Sequence, residues 1–434
     1  MNKYVLYENS YADLNNIDQD IFKDFVDIGA QIKNELGLIS SPIEFVSSSR
    51  VYIGNIVGNV ALNDTVLHIF PKFASYPSEA VAPIEELNRR LFLRTIKCAI
   101  GTLNSTIYFI RNTAIDNQSL FFDVLANYYL NSIVKALKKS KIYLYEEVVE
   151  KSATIKGRIL VQKQLSQPIS DEKTWCKFKR MTNNNVYNQL LFWGCKYLCE
   201  LTENLNLKRK LLNISREFPQ SINMLSTAVV ERIRVPRQFS EFAESIDLAK
   251  NMYLKDSGKK EKLGEGNRIS GYVINMERSF ENIVCYYSRI AASTLGYTHK
   301  SQAIMHFAIS SYANDFDYYV KPDGLISKKQ RHLVVDAKYK AITMREGSKK
   351  KKPSRDDFYQ MVSSCVAYNC SEAVLIYPAT AAFPDMSWNT INSTNGTKIT
   401  VRAASVDLML NEDAMVNGFT DIIRDTNFYR EKTK

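Results

Sequence analysis

The chain has 434 residues, 45% of them hydrophobic and 24% charged, which is enough for two or three domains with ample core and excludes a disordered or fibrous protein. A net charge of +11 favours a polyanionic partner without identifying one. No uninterrupted apolar run approaches the ~18 residues of a membrane span, and MNKYVLYENS carries no basic-then-apolar leader pattern, so no membrane is expected and the cytoplasm is the expected location. The seven cysteines form no CxxC pair and the four histidines are scattered, which argues for reduced thiols and against a zinc site or a histidine-based triad.

Residues 1–75 read as a β-rich segment. Tyr4–Tyr7 is a strand candidate, Ile17–Leu36 is amphipathic at helical spacing, and the β-type runs Val51–Val57 and Thr65–Phe70 are set apart by Gly54, Gly58 and Asn63-Asp64. Residues 76–265 are mixed and mainly helical. Ile84–Ala99, Ser119–Lys138, Asn183–Thr202, Ile222–Ile233 and Gln238–Tyr253 have helical patterns, and Ile142–Val149 and Ala153–Leu160 read as strands. The basic cluster Lys135, Lys138, Lys139 and Lys141 reads first as a solvated helix end, with a DNA or partner contact as the alternative. Leu254–Arg268 holds three glycines and many charges, the composition of a linker. The chain therefore divides into 1–265 and 266–434.

In the second part, Met276–Ala292 is an amphipathic helix with Met276, Phe280, Ile283, Val284 and Tyr287 on one side, and it carries Glu281. Tyr318–Ile326 and His332–Tyr339 flank the polar Ser327–Arg331 and read as a β-hairpin. A basic loop, Lys349–Lys352, precedes Pro353-Ser354, where a serine cap with Asp357 three residues on starts a helix over Arg355–Tyr368 that carries Gln360. Ala373–Tyr377 is a short apolar strand closed by Pro378, and strand, helix, strand at this spacing makes it parallel to the hairpin's second strand. Lys398–Ala403 and Val416–Asp425 add a strand and a helix.

The hairpin carries the chemistry. The midpoint between Asp323 and Asp336 falls between Lys329 and Gln330, so a symmetric hairpin sets the two carboxylates opposite each other, with Cβ atoms ~4.5–5.5 Å apart. Asp336 and Lys338 are two apart and share a strand face. Two carboxylates that close repel unless a cation sits between them, and a hard divalent ion, Mg²⁺ above all, suits them. A neighbouring lysine can orient the attacking water, which is the chemistry of phosphodiester hydrolysis. Asp171-Glu172-Lys173 repeats half of the pattern in a polar stretch, and Pro384-Asp385 repeats the other half with no DxK after it. A surface hairpin with an ordinary ion pair is disfavoured by the apolar Leu333-Val334-Val335 run before Asp336.

The Pro322-Asp323 and Asp336-Ala337-Lys338 pair resembles the motif of the PD-(D/E)xK nuclease superfamily, whose shared core has the element order α-β-β-β-α-β. Along most of its length the chain resembles the McrC nuclease subunits of McrBC and LlaJI-type restriction systems. The resemblance is carried by HIFPKF (His68–Phe73), FFDVLANYYL (Phe121–Leu130), KGRI (Lys156–Ile159), NVYNQLLFWGCKYL (Asn185–Leu198), NMERSFENIV (Asn275–Val284), KPDGLI with LVVDAKYK, and DDFYQMVSSCVAYN with AVLIYP.

That resemblance implies an α+β N-terminal region, a small sheet plus helices, followed by an α/β restriction-endonuclease-like domain with a mixed central sheet. It implies a partner-binding arm over 1–265 that docks on a McrB-like AAA+ GTPase hexamer and stimulates it, and a nuclease domain over 266–434 that cuts double-stranded DNA, with no small-molecule substrate. Asp323, Asp336 and the Ala337 carbonyl are then ligands of one or two Mg²⁺ ions, Lys338 orients and helps deprotonate water, Glu281 is an outer or second-metal contact, and Gln360 steadies Lys338 or a phosphate. Lys349–Lys352 and Lys328–Arg331 are expected on the phosphate backbone, with a mobile, solvated loop an equal reading for Lys349–Lys352. A stand-alone structure-specific nuclease and a non-catalytic activator of an AAA+ partner are the alternatives.

Overall fold

The computed structural model describes residues 2–14, 19–47, 50–62, 65–72, 84–99, 106–110, 119–166, 173–202, 204–259, 269–308, 318–340, 352–379, 386–390 and 398–430. The chain divides into two compact units, one made of residues 1–115 with 267–434 and the other of residues 116–266.

The first unit begins with β1 (Asn2–Tyr7), β2 (Ser10–Asp13), α1 (Gln19–Leu36), β3 (Ile43–Ser47), β4 (Arg50–Ile53), β5 (Ile56–Leu62), β6 (Thr65–Phe70), α2 (Ile84–Cys98) and β7 (Ile107–Ile110). The run expected as one strand over Val51–Val57 is two, because the chain turns at Gly54, whose N–H donates to the Pro42 carbonyl at 2.9 Å. Helix α1 places Phe25, Ile28, Ile32 and Leu36 on one stripe, and they share a core with Ile43, Val51, Ile53, Ile56, Val60 and Leu67. β1 runs parallel to β6, which forms a hairpin with β5.

The second unit contains α3 (Ser119–Leu137), β8 (Leu144–Ser152), β9 (Arg158–Ile159), α4 (Val161–Leu165), β10 (Thr174–Thr182), α5 (Val186–Leu201), α6 (Leu205–Ser215), α7 (Thr227–Arg232) and α8 (Ala243–Lys259). Asn185 caps α5 by accepting from the Asn188 N–H at 3.1 Å. Gly194 lets that helix approach α3, since a Cβ there would lie 2.3 Å from the Tyr129 hydroxyl. Strand β10 is central in the sheet order β8-β10-β9, yet its charged, weakly alternating TWCKFKRMT gives no clear strand signal. Helix α8 continues to Lys259, so the first part of the expected linker is helix, and residues 260–268 lie outside the described residues.

The chain returns to the first unit with β11 (Ile269–Asn275), α9 (Met276–Thr294), β12 (Thr298–Ser301), β13 (Met305–Ala308), β14 (Tyr318–Val320), β15 (Gly324–Lys328), β16 (Arg331–Ala337), α10 (Arg355–Ala367), β17 (Glu372–Pro378), β18 (Met386–Asn389), β19 (Thr400–Val406), α11 (Glu412–Arg424) and α12 (Asn427–Arg430). β11 inserts between β5 and β7, antiparallel to both, in the order β1-β6-β5-β11-β7. Position 58 is glycine because a Cβ would sit 2.1 Å from the Tyr272 carbonyl oxygen of β11. The expected division at 265/266 coincides with the end of the second unit, but residues 1–115 group with the C-terminal part. Strand β11 is the reason, together with α2, whose Thr95 hydroxyl meets that of Ser279 on α9 at 2.7 Å in the core.

The sheet that matters for the site has the order β12-β15-β16-β17-β19-β18. It is mixed, with β16, β17 and β19 parallel and the remaining pairs antiparallel. β17, EAVLIYP, is buried at every position, as a strand covered on both faces must be. Helix α10 connects β16 to β17, and its Met361 and Cys365 enter the core with Val334, Leu375 and Val401. Helix α9 buries Met276, Phe280, Ile283, Val284 and Tyr287, the five positions expected. All seven cysteines are free thiols, and among the described residues no helix is long and apolar enough to cross a membrane.

Candidate active site

The hairpin has the symmetric register that its sequence implies. Gly324 pairs with Val335 and Lys328 with Arg331, around a turn at Lys329, where φ is +53°. The next position beyond Gly324 and Val335 is occupied by Asp323 and Asp336. The first strand is shorter than expected over Tyr318–Ile326, because Pro322 has no N–H to give to a ladder. Tyr318–Val320 instead pairs with β13 in a separate two-stranded sheet, and Asp323 is the hinge between the two.

Asp323 is held from several sides. Its Oδ2 accepts the Ala337 N–H at 2.8 Å, and its carbonyl accepts from the Gln302 N–H at 3.0 Å and from the Cys285 thiol of α9 at 3.1 Å. Asp336, registered with Leu375 on β17, is only 2% exposed. Lys338 Nζ lies 2.6 Å from Asp336 Oδ2 and donates to Gln360 Oε1 of α10 at 2.9 Å. Oδ2 receives no aligned hydrogen bond among the described residues.

The electrostatics record the crowding. Burial pushes Asp323 up to about 7, with Asp336 and Glu281 adding to it. Burial raises Asp336 despite the pull of Lys338, and burial followed by the Asp336 charge raises Glu281. For Lys338, burial opposes the charge, but Asp336 outweighs it and holds the ammonium above its ordinary value. Three acids therefore share one buried corner with one ammonium, a net negative site that a cation relieves. Among the described residues no three His, Cys, Asp or Glu side chains are arranged to hold a metal ion together.

The site extends beyond the residues the sequence singles out. Lys340, the next residue on the same face, pairs with Asp357 at 2.7 Å and reaches the Ser354 hydroxyl at 3.4 Å. Ser354 caps α10 through the Asp357 N–H at 3.2 Å, so Asp357 makes its contact with Lys340. Tyr339, on the opposite face, donates its hydroxyl to Glu8, whose Oε1 also accepts the Lys72 N–H at 2.9 Å. Lys72 Nζ stands 4.6 Å from the Tyr339 ring centroid and donates to the Tyr339 carbonyl at 3.4 Å. This contact gives the HIFPKF run a physical role that no local pattern announces, since Glu8 and Tyr339 are 331 positions apart.

The two basic segments fare differently. Lys328 lies 5.1 Å from the ring of Tyr297 and Arg331 5.3 Å from that of Phe428. They sit at the turn end of the hairpin, roughly 17 Å of strand from the carboxylates, and pack on the protein's own rings. Lys349–Lys351 lie outside the described residues, and Lys352 is exposed.

The same architecture occurs in a chain of a solved assembly, the "Refined half-complex from tetradecameric assembly of Thermococcus gammatolerans McrB AAA+ hexamers with bound McrC", with a TM-score of 0.58, 16% identity, 98% of this chain covered and 99% of that one. A chain of the "Cryo-EM structure of the Thermococcus gammatolerans McrBC complex" matches with a TM-score of 0.45 and 16% identity over 65% of this chain and 85% of that one. No curated protein matches. The model of the family described as "McrBC 5-methylcytosine restriction system component" matches residues 51–378, three quarters of the chain, and the protein belongs to that family.

Proposed function

We propose that the chain is a McrC-like endonuclease subunit of a restriction complex. It hydrolyses phosphodiester bonds of double-stranded DNA in the presence of Mg²⁺ and works with a McrB-like AAA+ GTPase hexamer that it stimulates. The observation that carries this reading is the buried corner at the end of the hairpin, where the charges of Asp323 and Asp336 act on each other, Asp323 accepts the Ala337 N–H and the Lys338 ammonium lies 2.6 Å from Asp336 Oδ2. The element order α9, β12, β15, β16, α10, β17 supports a PD-(D/E)xK fold. The solved assembly with McrB hexamers and bound McrC supports the choice of partner.

The donor set fits a hard divalent cation. It offers carboxylate and backbone oxygens with excess negative charge, and Asp323, Asp336 and the Ala337 carbonyl would hold one or two Mg²⁺ ions, with Glu281 further out. Bound there, the ion supplies charge neutralisation at the scissile phosphate. The side chains divide the remaining work. Gln360 fixes the Lys338 ammonium through its 2.9 Å hydrogen bond, and Lys338 would orient the attacking water by donating N–H bonds to it, with the water's proton leaving to solvent. The Cys285 and Gln302 contacts to the Asp323 carbonyl fix the backbone from which the carboxylate projects.

The test is Asp336→Ala in the full chain assembled with its AAA+ partner. Cleavage of double-stranded DNA falls by at least about 1,000-fold, while co-purification with the partner is unchanged. Calorimetry with Mg²⁺ registers binding to the wild type and none to the variant. Cutting retained at the wild-type rate overturns the assignment.

A further inference from the structure

Beside the site, around the start of α10, lies a cleft of about 540 Å³ lined by Lys352, Ser354, Arg355, Phe358, Tyr359 and Trp388, among others. That volume is within the range of about 300–1,000 Å³ typical of small-ligand pockets. Its composition is specific: three aromatic side chains and two cations, with no carboxylate among the described lining residues. Tyr359 is 59% exposed, so a large aromatic ring is left in water where the core does not need it. Phe358 and Trp388 only lean on the core. Neither Lys352 nor Arg355 is in an ion pair among the described residues. Asp357, the nearest buried acid on this helix, is already neutralised by Lys340.

The cleft is tied to the reacting corner by a short chain of contacts. Lys338 meets Asp336, Lys340 follows two residues later on the same face, and Lys340 Nζ lies 3.4 Å from Ser354 Oγ on the cleft wall. Gln360, which holds Lys338, comes directly after Tyr359 on α10.

Aromatic side chains flanked by two cations that make no ion pair among the described residues, in a cleft linked to the reacting corner through Gln360 and Lys340, match the chemistry of a base with its phosphates. We propose that this cleft receives an unstacked base of the DNA strand being cut, with Phe358, Tyr359 and Trp388 as its apolar walls and Lys352 and Arg355 on the adjoining phosphates. This rests on the nuclease reading for the identity of the ligand. Stacking tolerates any base, so the cleft holds the strand in place without reading sequence.

The test separates the two claims. The full chain, in EDTA so that nothing is cut, is titrated by fluorescence anisotropy with labelled oligothymidylate and with a fully abasic strand of equal length and charge. The wild type binds the base-bearing strand about ten-fold more tightly. Tyr359→Ala reduces that preference to below about two-fold, Tyr359→Phe keeps it, and Arg355→Ala weakens both strands alike. Trp388→Ala repeats the Tyr359→Ala result if its thermal unfolding midpoint is unchanged. Equal binding of the two strands by the wild type, or a preference that survives Tyr359→Ala, overturns the cleft. A preference that depends on Tyr359 in a protein that, assembled with its AAA+ partner and Mg²⁺, cuts no DNA leaves the cleft standing and removes the nuclease reading alone.

Discussion

Both units carry ion pairs in water, but among the described residues only the first buries acids. In the second, ion pairs lie in water: Lys139 with Glu241 at 2.9 Å, Lys141 with Glu217 at 2.9 Å and Arg180 with Glu146 at 2.8 Å, with side chains 36–54% exposed. In the first, acids are taken inside, with the side chains of Asp336, Asp357 and Glu372 only 3%, 8% and 2% exposed. Surface pairs cost little and return ~0–1 kcal/mol, whereas each buried charge costs several kcal/mol before its partner offsets it. A fold keeps such groups where their chemistry is needed or where they hold distant segments together. The first unit has both, in the hairpin corner and in the contact of Glu8 with Tyr339.

The largest effect outside the reacting corner is expected at Glu8. Burial pushes its carboxyl up to about 7, against the pull of Lys72 and the hydrogen bond from Tyr339, with Glu277 adding to the rise. A carboxyl whose folded pKa lies above its unfolded one contributes its full stability below the unfolded value, near 4.5, and loses it as pH rises toward the folded value. The wild type should therefore lose on the order of 3 kcal/mol relative to Glu8→Gln between about pH 4 and about pH 8. Urea unfolding of both proteins across that window measures the difference. Parallel curves would show that Glu8 ionises in the fold as it does in water, and the contrast between the units would weaken.

A smaller loss, about 2 kcal/mol, is expected for Lys340→Met, because it leaves the Asp357 carboxylate buried with the Tyr377 hydroxyl 3.5 Å away. The cost is below that of a fully buried pair because Lys340 is 46% exposed. Adding Asp357→Asn should restore most of it, and a double-mutant cycle of unfolding midpoints gives the coupling.

The sequence is legible where the signal is local. The hairpin register follows from the symmetry of Asp323 and Asp336 about Lys329 and Gln330, and the buried stripe of α9 follows from the spacing of Met276, Phe280, Ile283, Val284 and Tyr287. Contacts made across long separations are not legible. β11 joins β5 and β7, and nothing in ISGYVIN says that its partners lie near residues 60 and 110. Placing residues 1–115 apart from the C-terminal part follows from reading the glycine-rich, charged stretch before β11 as a boundary, when the sheet closes across it. Glu8 is missed for the same reason. Asp336, Lys338 and Gln360 are in contact, whereas Lys340 lies past the end of β16 and its contact with Asp357 depends on where α10 packs.

The smallest effect sharpens the comparison from the other side. Lys139 belongs to a basic cluster at the end of α3, and its ammonium pairs with both oxygens of Glu241 at 2.9 Å. Both side chains are well exposed, so the attraction is screened and offset by the entropy of holding two long side chains together. Lys139→Ala should change unfolding free energy by no more than about 0.5 kcal/mol, and raising the salt concentration should leave the difference between the two proteins near zero. A loss above about 1 kcal/mol would mean that this pair is desolvated in solution. The second unit would then carry a buried charge of the kind that otherwise marks the first.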